Sequence, residues 1–168
     1  KYMKDFYDAC KSGDLPNYSF IEPRLMYNPN DQHPRYFVKR GDVDNIMPAG
    51  EQLIYEIFDA LRNSPCWGKT LFIITYDEHG GTYDHIPPPI CVQPDDKTNK
   101  RFAFKFDRLG VRIPGVAISP WIPKGMICDE LFENTSVIKT IPTRFDLGDL
   151  TERDKNANHF GCLLTLDK

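Results

Sequence analysis

Long apolar runs are missing from this sequence. The longest, Leu71-Phe72-Ile73-Ile74, is the length of a strand, far below the roughly 20 residues a membrane-spanning helix needs, so no transmembrane segment is expected. A positive excess is missing too. The 21 Lys and Arg stand against 24 Asp and Glu, a formal net charge of −3, and the cations are scattered among acids, which excludes a basic nucleic-acid footprint. There is no Cys-x-x-Cys, so a structural zinc site of that kind is not expected. The five cysteines, Cys10, Cys66, Cys91, Cys128 and Cys162, cannot all pair within one chain; buried free thiols are the expectation, and a single disulfide stays open. No Met precedes Lys1 and no charged-then-apolar leader follows it, so the sequence predicts a processed chain or an internal fragment, with its compartment unknown. Internal repeats and low-complexity segments are also absent.

What is present suits one folded domain over residues 1–168. The hydrophobic fraction is 40% and the charged fraction 27%, with 11 Phe, 8 Tyr and 2 Trp for a core. Residues 1–12 read as a short helix stopped by Gly13, and Asp14-Leu15-Pro16-Asn17 as a turn. Tyr18-Ser19-Phe20-Ile21 has strand composition and is ended by Pro23. Residues 27–50 predict a long loop. The clearest helix is 51–63, with Leu53, Ile54, Ile57, Phe58 and Leu61 on one face. Residues 69–76 form a β-branched and aromatic run without alternation, as in a strand covered on both faces. Val111 to Ser119 is a second such strand, and Thr135 to Phe145 a helix that Pro142 must kink or end. The tail from 146 is mixed and polar, and His159 within it reads as exposed. Helix followed by buried strand predicts an α/β layered fold.

The chemistry concentrates after the most apolar strand. Asp77, Glu78 and His79 are followed by Gly80-Gly81 and then by Asp84 and His85. Ligands collect at the carboxyl ends of strands in open α/β sheets. Adjacent carboxylates there repel each other and lose hydration unless a cation neutralises them. Carboxylates with imidazoles suit Mg, Mn, Ca or Zn, and the two glycines permit the turn that would let Asp77 and Glu78 converge. A phosphate ester is the natural substrate of such a site. The plainer alternative is a solvated polar loop; there is no H-E-x-x-H, and the spacing does not fit an EF-hand. His33, in Asn30-Asp31-Gln32-His33-Pro34, and Glu22, at the end of its strand, are weaker candidates.

These residues resemble a known family. Thr75-Tyr76-Asp77-Glu78-His79-Gly80-Gly81 with Tyr83-Asp84-His85 is similar to the central signature of the phosphoesterase family, which includes non-specific phospholipases C and certain acid phosphatases. Tyr18 to Pro23 and Asp31-Gln32-His33-Pro34 resemble its preceding blocks. Ala60 to Pro65 with Trp67, Phe106 to Pro114 with Ser119-Pro120-Trp121, Thr135-Ser136, and Leu150 to Asp154 resemble the rest, in order over about residues 15–155. The resemblance implies a partial alkaline-phosphatase-like α/β fold with a mainly parallel sheet flanked by helices. It implies hydrolysis of phosphate esters, phospholipids among them, with a divalent metal on Asp77 and Glu78. His33 and His85 would be catalytic, and Glu22, His79 and Asp84 further candidates. The family's N-terminal metal-ligand block and its nucleophile have no match here. The chain is therefore expected to be a C-terminal half carrying part of the site, with the missing N-terminal half as its partner, or else a non-catalytic metal- or phosphate-binding remnant or a structural α/β fragment. Many relatives carry His where this chain has Asn134, and an amide cannot act as acid or base.

Overall fold

The computed structural model describes residues 2–34, 46–97 and 101–166, with the side chains of Ile46 and Met47 excepted. The chain divides into two compact units, Lys1–Phe72 and Ile73–Lys168.

The first unit is built on two helices. α1 spans Met3–Ser12 and ends on Gly13, whose φ of 79° is left-handed, a conformation open to glycine because it has no Cβ to clash. α2 spans Ile46–Arg62 and so begins five residues before the expected start at 51. Its apolar spacing works as read: Ile57 and Leu61 are buried with Cys10 of α1, and Met3, Phe6, Leu15, Ile21, Leu53, Ala60, Trp67 and Phe72 pack around them. Phe58 meets Trp67 edge to face at 6.1 Å, and Trp67 opens a single 3-10 turn, Trp67–Lys69. The strand expected over Tyr18–Ile21 is not formed; the segment is irregular, with Phe20 exposed. A β-rich composition makes a strand only beside a neighbour to bond. The long loop of 27–50 is irregular through Pro34 and helical from Ile46; its segment 35–45 lies outside the described residues.

The unit boundary falls inside β1, Phe72–Ile74, which is shorter than the expected 69–76 at both ends; Lys69 belongs to the 3-10 turn. β1 pairs with β2, Val116–Ile118, in a two-stranded sheet. The architecture is thus α/β. β1 is half-buried rather than buried on both faces, and Val116 of β2 is exposed. α3 spans Asn134–Phe145 and runs through Pro142 to a left-handed Asp146. A proline this late removes one backbone bond, while the Thr143 hydroxyl donates to the Lys139 carbonyl at 2.8 Å. The polar tail holds α4, Glu152–Asn156, and a 3-10 helix, Phe160–Leu163, neither expected from the sequence.

Polar ties hold this second unit. The buried Asp154 carboxylate accepts from the Leu150 and Thr151 amides at 2.9 and 2.6 Å and from the Thr151 hydroxyl at 2.5 Å, capping α4. Arg153 donates to the Val92 carbonyl at 2.9 Å, to the Phe106 carbonyl and to Cys91 Sγ, and lies 3.9 Å from Glu133. One guanidinium therefore joins four stretches of chain. Phe132 stacks on Phe160 at 4.6 Å. His159 is half-buried rather than exposed. All five cysteines are free thiols, yet of these only Cys10 is buried; Cys162 is exposed.

Candidate active site

The Asp77 loop leaves β1 three residues after Ile74 and is shaped by its own side chains. The Glu78 amide donates to Asp77 Oδ1 at 3.0 Å, and the Gly80 amide donates to Glu78 Oε2 at 2.7 Å. Gly80 and Gly81 both take left-handed φ, 66° and 76°, so the turn the pair was expected to permit is formed. The two carboxylates stand exposed, each oriented by a main-chain N–H. His79 Nδ1 lies 2.8 Å from the Thr82 carbonyl. A carbonyl can only accept, so Nδ1 carries that proton and Nε2 is the acceptor nitrogen of the neutral ring.

A second element closes on this loop from α3. Asn134 Nδ2 donates to the Asp77 carbonyl at 3.1 Å, across 57 positions of sequence. Sequence spacing gave no sign of that contact.

Asp84 is held differently. Its carboxylate takes both arms of the Arg112 guanidinium, Nε to Oδ2 at 2.7 Å and Nη2 to Oδ1 at 2.8 Å, and the Ile86 amide donates to Oδ1 at 3.0 Å. The Arg112 bond first, then the Ile86 amide, hold the Asp84 carboxyl well below its ordinary range. The same pairing raises Arg112. His85 is exposed, its Nδ1 3.6 Å from Asp84 Oδ1, an ion pair only when the ring is protonated. Arg112 was missed by sequence reasoning, although it stands in the Phe106–Pro114 block.

The remaining candidates belong to the first unit. His33 is exposed, with Nδ1 2.9 Å from the Pro34 carbonyl, which fixes the same tautomer as in His79. Its amide donates to the buried Asp31 carboxylate at 3.2 Å. Gln32 donates to Glu51 of α2 at 2.5 Å. Gly50 lets this loop lie on α2, since a Cβ there would meet Gln32 Cγ at 2.4 Å and the Asp31 carbonyl at 3.1 Å. Glu22 is exposed on irregular chain. Among the described residues, no three His, Cys, Asp or Glu side chains converge in a way that could hold a metal ion. Asp77 and Glu78 fit a hard cation by residue type.

Two adjacent acids thus stand on the turn that follows β1, with imidazoles close by in sequence, the residue types expected of a phosphate-ester site. Comparison with known proteins agrees. The sequence model of the phosphoesterase family matches residues 1–148, and the chain belongs to that family. It is 42% identical over 180 residues to non-specific phospholipase C3 of Arabidopsis thaliana, covering 98% of this chain and 33% of that protein. To non-specific phospholipase C5 of the same plant it is 40% identical over 188 residues, covering 98% and 34%. To the non-hemolytic phospholipase C of Burkholderia pseudomallei it is 30% identical over 152 residues, covering 81% and 20%. The chain spans about a third of the length of the plant relatives it matches. No described helix is long and apolar enough to cross a membrane.

Proposed function

We propose that this chain forms part of a phospholipase C-like enzyme that hydrolyses phosphate esters, phospholipids included. The Asp77-Glu78 turn at the end of β1, in a chain of the phosphoesterase family, carries the reading. On this reading the two carboxylates give oxygen ligands to a divalent cation (Mg, Mn, Ca or Zn), and the remaining ligands and the nucleophile come from an N-terminal half outside this chain. Such a cation, when bound, neutralises phosphoryl oxygens and activates an oxygen nucleophile. The residues described here bind and orient. In the second unit His85 is proposed to be catalytic, with His79 and Asp84 as further candidates; in the first unit His33 is the proposed catalytic imidazole and Glu22 the further candidate. Tautomer matters for two of them: with Nδ1–H on a carbonyl, neutral His33 and His79 offer Nε2 as proton acceptor. Arg112 grips both Asp84 oxygens and so fixes that carboxylate beside His85. β1 and β2 are proposed as two strands of a larger, mainly parallel, alkaline-phosphatase-like sheet. Exposed apolar side chains such as Phe20, Tyr27 and Ile127 support the view that further chain covers these units.

Asn134 favours a second reading, a non-catalytic metal- or phosphate-binding remnant, because its amide moves no proton. The two separate in one assay, hydrolysis of p-nitrophenyl phosphate and phosphatidylcholine with Mn²⁺ or with chelator. The chain alone is expected to be inactive. Mixed with the N-terminal region of a non-specific phospholipase C, it is expected to turn over substrate, and to lose that turnover with chelator or Asp77→Ala. Turnover that survives Asp77→Ala sinks the ligand assignment; a mixture with no turnover leaves the remnant reading in its place.

A further inference from the structure

The peptide joining Asp77 to Glu78 is gripped at both ends. Its N–H donates to Asp77 Oδ1 at 3.0 Å, and its C=O accepts from Asn134 Nδ2 at 3.1 Å. This one plane sets the angle between the two acids, because each carboxylate departs from a Cα at one of its edges. The far end of the clamp stands on a fixed frame. Asn134 is the first residue of α3. Two residues on, Ser136 is fully buried; its hydroxyl accepts from the Glu133 amide at 3.0 Å, and its carbonyl accepts from the Thr140 hydroxyl at 2.7 Å. Glu133 in turn lies 3.9 Å from Arg153, the guanidinium that joins four stretches of this unit.

We propose that Asn134 is a positioning residue that fixes the Asp77–Glu78 peptide and so presents both carboxylates to one cation. This rests on the reading of Asp77 and Glu78 as metal ligands. The amide is suited to the task for the reason it is unsuited to proton transfer: its donor is always present and carries no charge that would compete for the cation. Groups that orient a metal ligand typically change metal affinity about 10-fold or more when removed.

The test uses the whole chain, with Mn²⁺ as probe, and two readouts. The first is ¹⁵N relaxation of the Glu78 amide. In Asn134→Ala, and in the shape-matched Asn134→Asp that lacks the donor, its order parameter is expected to fall below about 0.6, while the melting temperature holds. The second is Mn²⁺ affinity by calorimetry, expected to weaken roughly 10-fold in Asn134→Ala and to recover in Asn134→His, whose ring N–H can donate to the same carbonyl. An unchanged Glu78 amide overturns the clamp. A looser amide with unchanged Mn²⁺ affinity overturns the positioning role. Asp77→Ala keeps the two ideas apart: if it binds Mn²⁺ as well as the parent, the ligand reading fails and takes this inference with it. If the parent alone binds none, the same comparison is made with the N-terminal region of a non-specific phospholipase C added, and equal affinity of Asp77→Ala and parent there has the same meaning. If Asp77→Ala loses Mn²⁺ while Asn134→Ala does not, this inference alone fails.

Discussion

Each unit is stabilised internally by a different balance of contacts, the first with Asp31 and Ser64 as its buried polar residues beside an apolar cluster. In the first, the buried cluster is Cys10, Ile57 and Leu61, two helices closing over carbon and sulfur. In the second, Leu163 is the buried hydrophobic residue among those described, while Ser119, Ser136 and Asp154 are buried polar ones. Arg153 and Asp154 do there, by hydrogen bonds, what α1 and α2 do by apolar contact. The difference suits their contents. Apolar packing has no direction and tolerates small shifts, whereas hydrogen bonds fix distance and angle together. The second unit carries the Asp77–His85 loop, whose proposed use depends on where two carboxylates point.

The largest effect expected from this contrast lies in the first unit. Leu61→Ala removes a buried side chain from a small cluster, and the cost of such truncations is about 2–5 kcal/mol. Urea unfolding should show a loss of stability of that order, read as the midpoint shift multiplied by the slope m. The tryptophan signal reports it well, since Trp67 packs on this core. A loss below about 1 kcal/mol, the range of surface changes, would mean that the first unit is not organised around α1 and α2, and the comparison would break.

How legible this was in the sequence depended on the same chemistry. The apolar face of α2 could be read directly, because Leu53, Ile57 and Leu61 recur at helical spacing and bury that way. The Gly13 stop and the Gly80-Gly81 turn were legible because a positive φ leaves a glycine behind. Polar ties leave no period. Asp84 and Arg112 are 28 positions apart, and Asn134 and Asp77 are 57 apart, so neither contact shows in any local pattern. α4 did leave a signal, Thr151-x-x-Asp154, but no apolar run follows it, and a cap without a stripe reads as tail. Tyr18–Ile21 erred in the opposite sense, for strand composition says nothing about a neighbour.

A middle-sized effect probes the polar side. Asp154→Asn keeps the shape of the α4 cap but removes its charge and replaces one accepting oxygen with an NH₂ that faces a donor, a change expected to cost about 1–3 kcal/mol near neutral pH. Burial pushes the Asp154 carboxyl up, but the Thr151 hydroxyl and the three backbone N–H groups outweigh it, so the group sits below its ordinary 3.8. A depressed carboxyl stabilises the fold above its unfolded value and loses that contribution as pH falls through the folded one. The gap in stability between parent and variant should therefore be full at pH 7 and shrink below about pH 3.8. A gap that stays constant with pH would show that the amide, and not the missing charge, is responsible.

The smallest effect is the most local. Arg112→Ala breaks a bidentate pair whose guanidinium is largely exposed to water, and exposed pairs contribute little to stability. The melting temperature is expected to hold. The pair's effect on Asp84 should nonetheless be visible, because the Arg112 bond is the first cause of its depressed titration and the Ile86 amide only the second. In an NMR titration of the carboxyl carbons, Asp84 should move up toward 3.8 in the variant, with the Ile86 bond keeping it somewhat below. An unchanged Asp84 would shift the depression onto the Ile86 amide and release Arg112 from the site. A loss of melting temperature as large as that of Leu61→Ala would make the exposed pair part of the second unit's framework, and the line drawn here between ties that hold the fold and ties that aim the loop would have to be redrawn.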